Sequence, residues 1–138
     1  MKNTFINASN NKEGRTAQLG RQFFKEQSYQ TINLLDYDLR LFHENRQDDF
    51  AELLDLIENS DNLVIGTPIW WSDMSSYLKL FIDRLSLEEA VISKFKGAKL
   101  TLILDGSAPE PIEIAFLEHV MKHIAYRFKM EFQQTITG

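Results

Sequence analysis

The chain has 138 residues, of which 43% are hydrophobic and 25% are charged, and its formal net charge is −5. These proportions are typical of a globular protein and exclude disorder as the main state. Cysteine is absent, which excludes disulfides, cysteine-ligated zinc, iron–sulfur clusters and thiol nucleophiles. The acidic balance, with no basic block, disfavours nucleic acid and anionic membrane surfaces as partners.

The hydropathy of the chain predicts its cellular location, and its length predicts the number of domains. No apolar run approaches the roughly 20 residues of a membrane span, and the N-terminus lacks the apolar stretch of a signal peptide. We therefore expect a cytoplasmic protein without a membrane partner. The length, together with the absence of repeats and Pro/Gly/Ser linkers, predicts a single domain over residues 1–138.

Short apolar runs alternate with longer amphipathic stretches along the chain. The period of the apolar residues predicts strands where they alternate or run on, and helices where they recur at i, i+3 and i+4. In chain order the predicted elements are a strand at 4–8, a helix at 14–27, a strand at 29–35, a helix at 48–59, a strand at 62–67, a helix at 74–85, a strand at 99–104, a helix at 112–128 and a strand at 132–136.

This alternation predicts a doubly wound, five-stranded parallel sheet in a three-layer α/β/α domain. Such a domain usually closes with a fifth helix, whereas this chain stops at Gly138, so we expect the C-terminal helix to be missing. A fragment, a face covered by another subunit and an irregular last strand all remain possible explanations. Ligands of doubly wound domains bind beyond the carboxyl ends of the strands, which points to the loops 7–16, 67–74 and 105–111.

The first loop leaves a strand and enters a helix. Such a turn aims backbone N–H groups at one point, which suits a phosphate. The loop offers hydroxyls at Ser9 and Thr16, an amide at Asn11 and a guanidinium at Arg15. It matches neither the dinucleotide-binding glycine pattern nor the P-loop. Taken alone, the loop fits a polar turn with an ordinary helix start more simply than it fits a phosphate site.

The second loop contains Trp70 and Trp71, between a buried strand and a helix, after Pro68 fixes the backbone. Two large aromatic side chains there form an apolar wall on which a planar ring could stack. Alternatively, one Trp belongs to the core and the other is a lid or interface residue. In the third loop Gly106 allows close backbone approach to a ligand, although, taken alone, the loop is better explained as a turn before a helix that starts with proline.

The remaining polar residues suggest ordinary structural roles. Lys79 and Asp83 have the i, i+4 spacing of an exposed ion pair. His119 and His123 share one helix face, but neither they nor His43 come with a further ligand, so we expect surface or interface histidines and no metal site. No serine lies in a nucleophile-elbow pattern, and residues 1–12 lack the acidic pair of a response-regulator receiver.

Three patterns, in order and spacing, resemble the flavodoxin-like NAD(P)H-dependent oxidoreductases, the group of FMN reductases and quinone reductases. Residues 7–16 resemble the phosphate loop of the family, although Asn10 and Asn11 replace its Pro-Arg and Arg15 replaces its Asn. Residues 62–71 resemble its strand and flavin loop. Residues 78–84, Leu-Lys-Leu-Phe-Ile-Asp-Arg, resemble the helix that follows.

The resemblance implies that FMN is the cofactor, NAD(P)H the co-substrate and a quinone, flavin or other small molecule the electron acceptor. It also implies a homodimer. The implied contacts are Ser9, Asn11, Arg15 and Thr16 at the FMN phosphate, Pro68, Ile69, Trp70 and Trp71 at the isoalloxazine ring, and Asp105, Gly106 and Ser107 at its other edge. The flavin carries the redox chemistry, so no side chain is expected to be catalytic. An electron carrier, or a related domain that no longer binds flavin, is the alternative.

Overall fold

The computed structural model describes residues 1–41 and 47–138. Six strands and five helices lie within these residues, and a single 3-10 turn, Leu34–Asp36, follows the second strand. In chain order they are β1 (Asn3–Asn7), α1 (Arg15–Phe24), β2 (Gln30–Asn33), α2 (Phe50–Ile57), β3 (Asn62–Trp70), β4 (Asp73–Met74), α3 (Ser76–Arg84), α4 (Glu89–Phe95), β5 (Lys99–Asp105), α5 (Pro111–Arg127) and β6 (Glu131–Thr137). Within the described ranges, every helix is too short or too polar to cross a membrane.

Five of the strands form one parallel sheet in the order β2-β1-β3-β5-β6, which confirms the predicted doubly wound arrangement. Helices α2 to α5 pack on one face around the larger core. Helix α1 packs on the other face over a smaller core and is the one described helix there. The domain therefore has the predicted three α/β/α layers.

Two local predictions are wrong and two short elements, β4 and α4, were not predicted, each for a physical reason. Pro68 does not end β3, because it occupies the last position paired with β5, opposite Asp105, and the strand then pairs with β4 as far as Trp70. Met74 lies in β4 rather than in the following helix, which begins after Ser75. Strand β4 has two residues and α4 has seven, too few to show a period in the sequence.

The ring of Phe5 fixes how closely α1 approaches the sheet. A Cβ added at Gly20 of α1 would lie 2.8 Å from this ring, and one added at Gly66 of β3 would lie 2.9 Å from it. Phe5 is 1% exposed, so the ring has no room to move aside. The two glycines therefore let the helix settle directly on β1 and β3, which places the N-terminus of α1 beside the carboxyl ends of the strands.

An ion pair between Asp48 and Arg84 joins the end of α3 to the start of α2. One Asp48 oxygen accepts the Phe50 N–H at 3.0 Å, and the other accepts the Arg40 N–H at 2.8 Å. Arg84 also donates to the Arg40 carbonyl and stacks over the Phe50 ring at 4.8 Å. Burial opposes ionisation of the Asp48 carboxyl, but the hydrogen bonds from Arg84, Arg40 and Phe50 outweigh it and lower the pKa of Asp48 to about 2.

We expect Asp48→Asn to destabilise the protein near neutral pH and to make little difference at the acid end. Because folding lowers the carboxyl pKa from 3.8 to about 2, its stabilisation is present above the unfolded value and is lost as the pH falls through the folded one. With solvent screening the loss is about 1–2 kcal/mol. Urea denaturation between neutral pH and about pH 2 measures it. Asp83→Asn, on the exposed partner of Lys79, is the control, and a pH-independent difference for Asp48→Asn would contradict the assignment.

Candidate functional site

A fully buried serine, Ser75, connects the first two candidate loops. Its hydroxyl donates to the Ala8 carbonyl at 2.6 Å and accepts the Leu78 N–H at 3.2 Å, which caps α3. Its own N–H donates to the Thr67 hydroxyl oxygen at 3.0 Å. The end of β1, the end of β3 and the start of α3 are therefore held at one point. The sequence interpretation missed Ser75, although a serine just before a helical run is an N-cap signal.

The first loop is fixed by its own side chains. The Asn7 side-chain oxygen accepts the Ser9 N–H at 3.1 Å, the Ser9 hydroxyl oxygen accepts the Asn11 N–H at 3.1 Å, and the Asn11 side-chain oxygen accepts the Glu13 N–H at 3.0 Å. Asn7, itself fully buried, also donates to Asn33 of β2 at 3.0 Å. These local turns leave the Ser9 hydroxyl hydrogen and the Asn11 side-chain N–H groups as donors for a ligand.

The start of α1 presents further donors. Gly14 precedes the helix without a side-chain cap, and the first turn contains no acidic residue. The first intrahelical bond in this turn is donated by Gln18, so the N–H groups of Arg15, Thr16 and Ala17 have no partner within the helix. The positive end of the helix dipole and three backbone donors therefore meet at the first loop.

Two predicted phosphate residues use their side chains elsewhere. Thr16 is fully buried, and its hydroxyl donates to Asp105 of β5 at 3.0 Å, so only its backbone N–H faces the loop. Arg15 reaches towards the end of β6, where a guanidinium nitrogen lies 3.4 Å from the position of a Cβ on Gly138. Lys12, the other cation of the loop, pairs with Asp36 at 2.7 Å. The loop therefore offers backbone dipoles and polar side chains rather than a fixed cation.

The two tryptophans have different environments. Trp70 is half-buried at the end of β3, where its ring packs against Tyr77 with a centroid distance of 6.2 Å. Trp71 is 100% exposed and forms, with Ser72, the two-residue turn between β3 and β4. Both turn residues have positive φ, 50° and 67°, a conformation that costs a non-glycine residue about 1–2 kcal/mol. Trp70 is therefore packed against the fold, whereas Trp71 projects into solvent.

A cleft of about 210 Å³ lies between this hairpin and the third loop. Its lining brings together the predicted residues Ile69, Trp71, Gly106 and Ser107. Asp105 lies just below and is bonded to Thr16, and Pro68 is buried within β3. The Gly106 N–H donates to the Gly138 carbonyl at 3.3 Å, whereas the N–H groups of Ser107 and Ala108 have no acceptor among the described residues and remain as donors at this edge. The cleft can hold the edge of a planar ligand rather than a whole one.

The structure gives the other candidate residues no place in this site. Lys79 and Asp83 form the predicted exposed ion pair. His119 and His123 lie exposed on α5, and within residues 1–41 and 47–138 no three His, Asp or Glu side chains group as metal ligands. His43 lies outside the described residues.

Comparison with protein families and curated proteins gives two matches. The sequence pattern of the NADPH-dependent FMN reductase family matches residues 1–130. A curated relative from Bacillus subtilis, YwqN, whose name proposes an NAD(P)H-dependent FMN-containing oxidoreductase, is 32% identical over 95 residues, which are 62% of this chain. The match covers 52% of that relative, so this chain spans about half of its length.

Solved structures show the same fold. The Trp repressor binding protein from Bacillus subtilis superposes with a TM-score of 0.81 at 24% identity, covering 99% of this chain and 83% of that one. The general stress protein 14 from Treponema denticola, solved in complex with FMN, superposes with a TM-score of 0.70 at 19% identity, covering 99% of this chain and 85% of that one.

The strained conformation of Trp71 predicts a stabilising substitution. We expect Trp71→Asn to raise the free energy of unfolding by about 1 kcal/mol, because Asn tolerates positive φ and the exposed ring loses no packing. Trp70→Asn is the matched control and should lower it by about 1–2 kcal/mol, because that ring packs on Tyr77. Urea denaturation without added ligand measures both, and a destabilised Trp71→Asn protein would show that its ring has a structural role.

Proposed function

The chain belongs to the NADPH-dependent FMN reductase family, and we propose that it binds FMN across the three loops and reduces a quinone, a flavin or another small acceptor with NAD(P)H. The observation that carries this proposal is the uncapped start of α1, which lies beside a loop already fixed by its own hydrogen bonds. FMN, when bound, accepts hydride from NAD(P)H and passes electrons to the acceptor.

The phosphate end of the proposed site is built mainly from the backbone. The N–H groups of Arg15, Thr16 and Ala17 converge with the positive end of the helix dipole, which favours a dianion. The Ser9 hydroxyl and the Asn11 side-chain amide add donors from the loop. Because Ser75 and Asn7 fix the loop in advance, little conformational entropy is lost on binding.

The ring end of the proposed site is the cleft beneath Trp71. Ile69 and Trp71 supply apolar walls, and the Ser107 N–H is free to donate to the edge of the ring, where negative charge develops on reduction. Glu113 is the one ionisable side chain among the described lining residues, and it accepts the Glu110 N–H at 2.7 Å within the helix cap. The protein therefore orients the ring and supplies dipoles without a side-chain acid or base.

The assembly and location of the protein belong to the same proposal. We infer that it acts in the cytoplasm and that it forms a homodimer, the latter as the family resemblance implies. Several of the large apolar side chains that are more than half exposed support association of the folded chain, among them Trp71, Ile112, Phe116 and Tyr126. The same family and the acidic net charge of −5 support a small-molecule acceptor rather than nucleic acid.

Titration of FMN into the purified protein tests the cofactor proposal. We expect saturable binding with quenching of both flavin and Trp fluorescence, and the Trp quenching should be lost in Trp71→Phe and kept in Trp70→Phe. NADPH oxidation by the FMN-loaded protein in the presence and absence of a quinone then separates a reductase from an electron carrier. Absence of binding at about 100 µM FMN, a binding free energy weaker than about −5.5 kcal/mol, would overturn the proposal.

Substitutions at Arg15 separate the guanidinium from the backbone donor. Arg15 is the first residue of α1, where proline is tolerated, and Gly14 before it has the extended backbone that a following proline requires. Arg15→Ala removes only the side chain, whereas Arg15→Pro also removes the N–H. We expect Arg15→Ala to weaken FMN binding by at most about tenfold, and Arg15→Pro to weaken it by a further factor of about ten or more.

Riboflavin, which lacks the phosphate, is the matched control ligand for these variants. Its affinity should be the same in the wild-type protein and in both variants, because the lost groups face the phosphate. Equal FMN affinities for Arg15→Ala and Arg15→Pro would show that the Arg15 N–H does not hold the phosphate.

A further inference from the structure

Asp105 lies between the two ends of the proposed flavin site. Its carboxylate accepts the Thr16 hydroxyl at 3.0 Å, and Thr16 offers one of the free N–H groups at the phosphate end. The next residues in the chain, Gly106 and Ser107, line the cleft at the ring end. Asp105 is itself the last residue of β5 and lies opposite Pro68 of β3. A ligand that reaches from the start of α1 to the cleft therefore passes close to this carboxylate.

Within the described residues, the negative charge of Asp105 faces a helix end rather than a cation. No ion pair in this part of the chain includes Asp105, and the Thr16 hydroxyl is the one donor to its carboxylate. The two cations of the first loop, Lys12 and Arg15, make other contacts. Because Thr16 lies in the first turn of α1, the positive end of the helix dipole favours a carboxylate there. The site therefore holds a negative charge between its two ends before a ligand binds.

We propose that the Asp105 carboxylate lowers the reduction potential of the flavin that binds here. The inference rests on the proposed function and adds a residue that sets how readily the bound flavin gives up its electrons. Transfer of a hydride from NAD(P)H gives the FMN ring two electrons and one proton and leaves NAD(P)⁺. The ring thereby gains one negative charge, whereas the charge of the phosphate group does not change. Asp105 therefore disfavours the reduced ring, while its interaction with the phosphate group contributes equally to both forms.

The opposing contributions at the ring differ in range. The free N–H groups of Ser107 and Ala108 are dipoles that stabilise the reduced ring at hydrogen-bond distance. Asp105 has a full charge, and Glu113 in the lining of the cleft adds a charge of the same sign. At a separation on the order of 10 Å and an effective dielectric constant of about 20, two unit charges change a binding ratio by about tenfold. The Asp105 carboxylate can therefore make the bound flavin a stronger reductant even without contacting the ring.

Neutral substitutions at Asp105 test the proposal. Asp105→Asn keeps the size of the side chain and an oxygen for the Thr16 hydroxyl, and Asp105→Ser is a second neutral variant. We expect each to raise the ratio of the affinities for reduced and oxidised FMN by about tenfold, which raises the two-electron potential of the bound flavin by about 30 mV. Anaerobic titrations with reduced and oxidised FMN measure the ratio, and spectroelectrochemistry measures the potential. Circular dichroism melts check that each variant folds.

Two control variants separate the charge of Asp105 from its hydrogen bond and from the net charge of the protein. Thr16→Val removes the hydrogen bond to Asp105 but keeps the carboxylate and the backbone N–H of residue 16. Asp83→Asn removes an exposed carboxylate of α3 that pairs with Lys79. Both variants should keep the affinity ratio within about twofold of the wild-type value. Riboflavin, which lacks the phosphate, should show the same rise as FMN in Asp105→Asn, because the charge acts on the ring.

The possible outcomes distinguish this inference from the function on which it rests. An unchanged or lower potential in the two neutral variants would overturn the inference. An equal rise in Thr16→Val, or a rise with FMN that riboflavin does not share, would overturn it as well. In each of these cases FMN still binds and the proposed function stands, whereas a wild-type protein that binds no FMN would overturn both.

Discussion

The hydroxyl group of Ser75 is the contact on which the geometry of the candidate site depends. It bonds the end of β1 through Ala8 and caps α3, while the Ser75 N–H holds Thr67 at the end of β3. Ala8 lies 67 residues from Ser75 in the sequence, and the end of β1 would move independently of α3 without these buried hydrogen bonds, which have no access to competing water. The first loop and the Trp hairpin are therefore positioned relative to each other before any ligand arrives, and this is what makes a preorganised site possible.

Two departures from local stability lie at this same edge of the sheet. Helix α1 starts without a side-chain cap, and Trp71 and Ser72 adopt positive φ where Asn or Gly would be unstrained. Glycine at the start of α1 costs only a few tenths of a kcal/mol relative to a capping side chain, whereas the positive φ of Trp71 and Ser72 costs about 1–2 kcal/mol per residue. In folded proteins, locally unfavourable backbone features of this kind are concentrated at functional sites. The occurrence of both features at one edge of the sheet therefore supports the assignment of these loops to a binding site, independently of the family match.

The sequence predicted the alternation of strands and helices, and with it a parallel sheet, because the apolar period changes along the chain. It predicted the site loops because parallel strands end at one edge. It did not predict how side chains are shared across that edge. Thr16 bonds Asp105 on another strand, 89 residues away in sequence, and Gly106 bonds Gly138, pairings that no local pattern encodes. Ser75 could have been found from its place before a helix. Strand β4 could not, since two residues carry no period.

The separate, small core beneath α1 has a consequence for the dynamics of the domain. This helix is held by a small core around Phe5, Leu19 and Phe24, separate from the larger core on the opposite face. Such a unit opens at a lower free energy than the rest of the fold, and its amides exchange hydrogen sooner. Because the start of α1 supplies donors to the proposed phosphate position, a bound dianion would stabilise the closed form of this unit. Ligand binding would then protect the amides of α1 against hydrogen exchange, and the helix against proteolysis, whereas the larger core would hardly be affected.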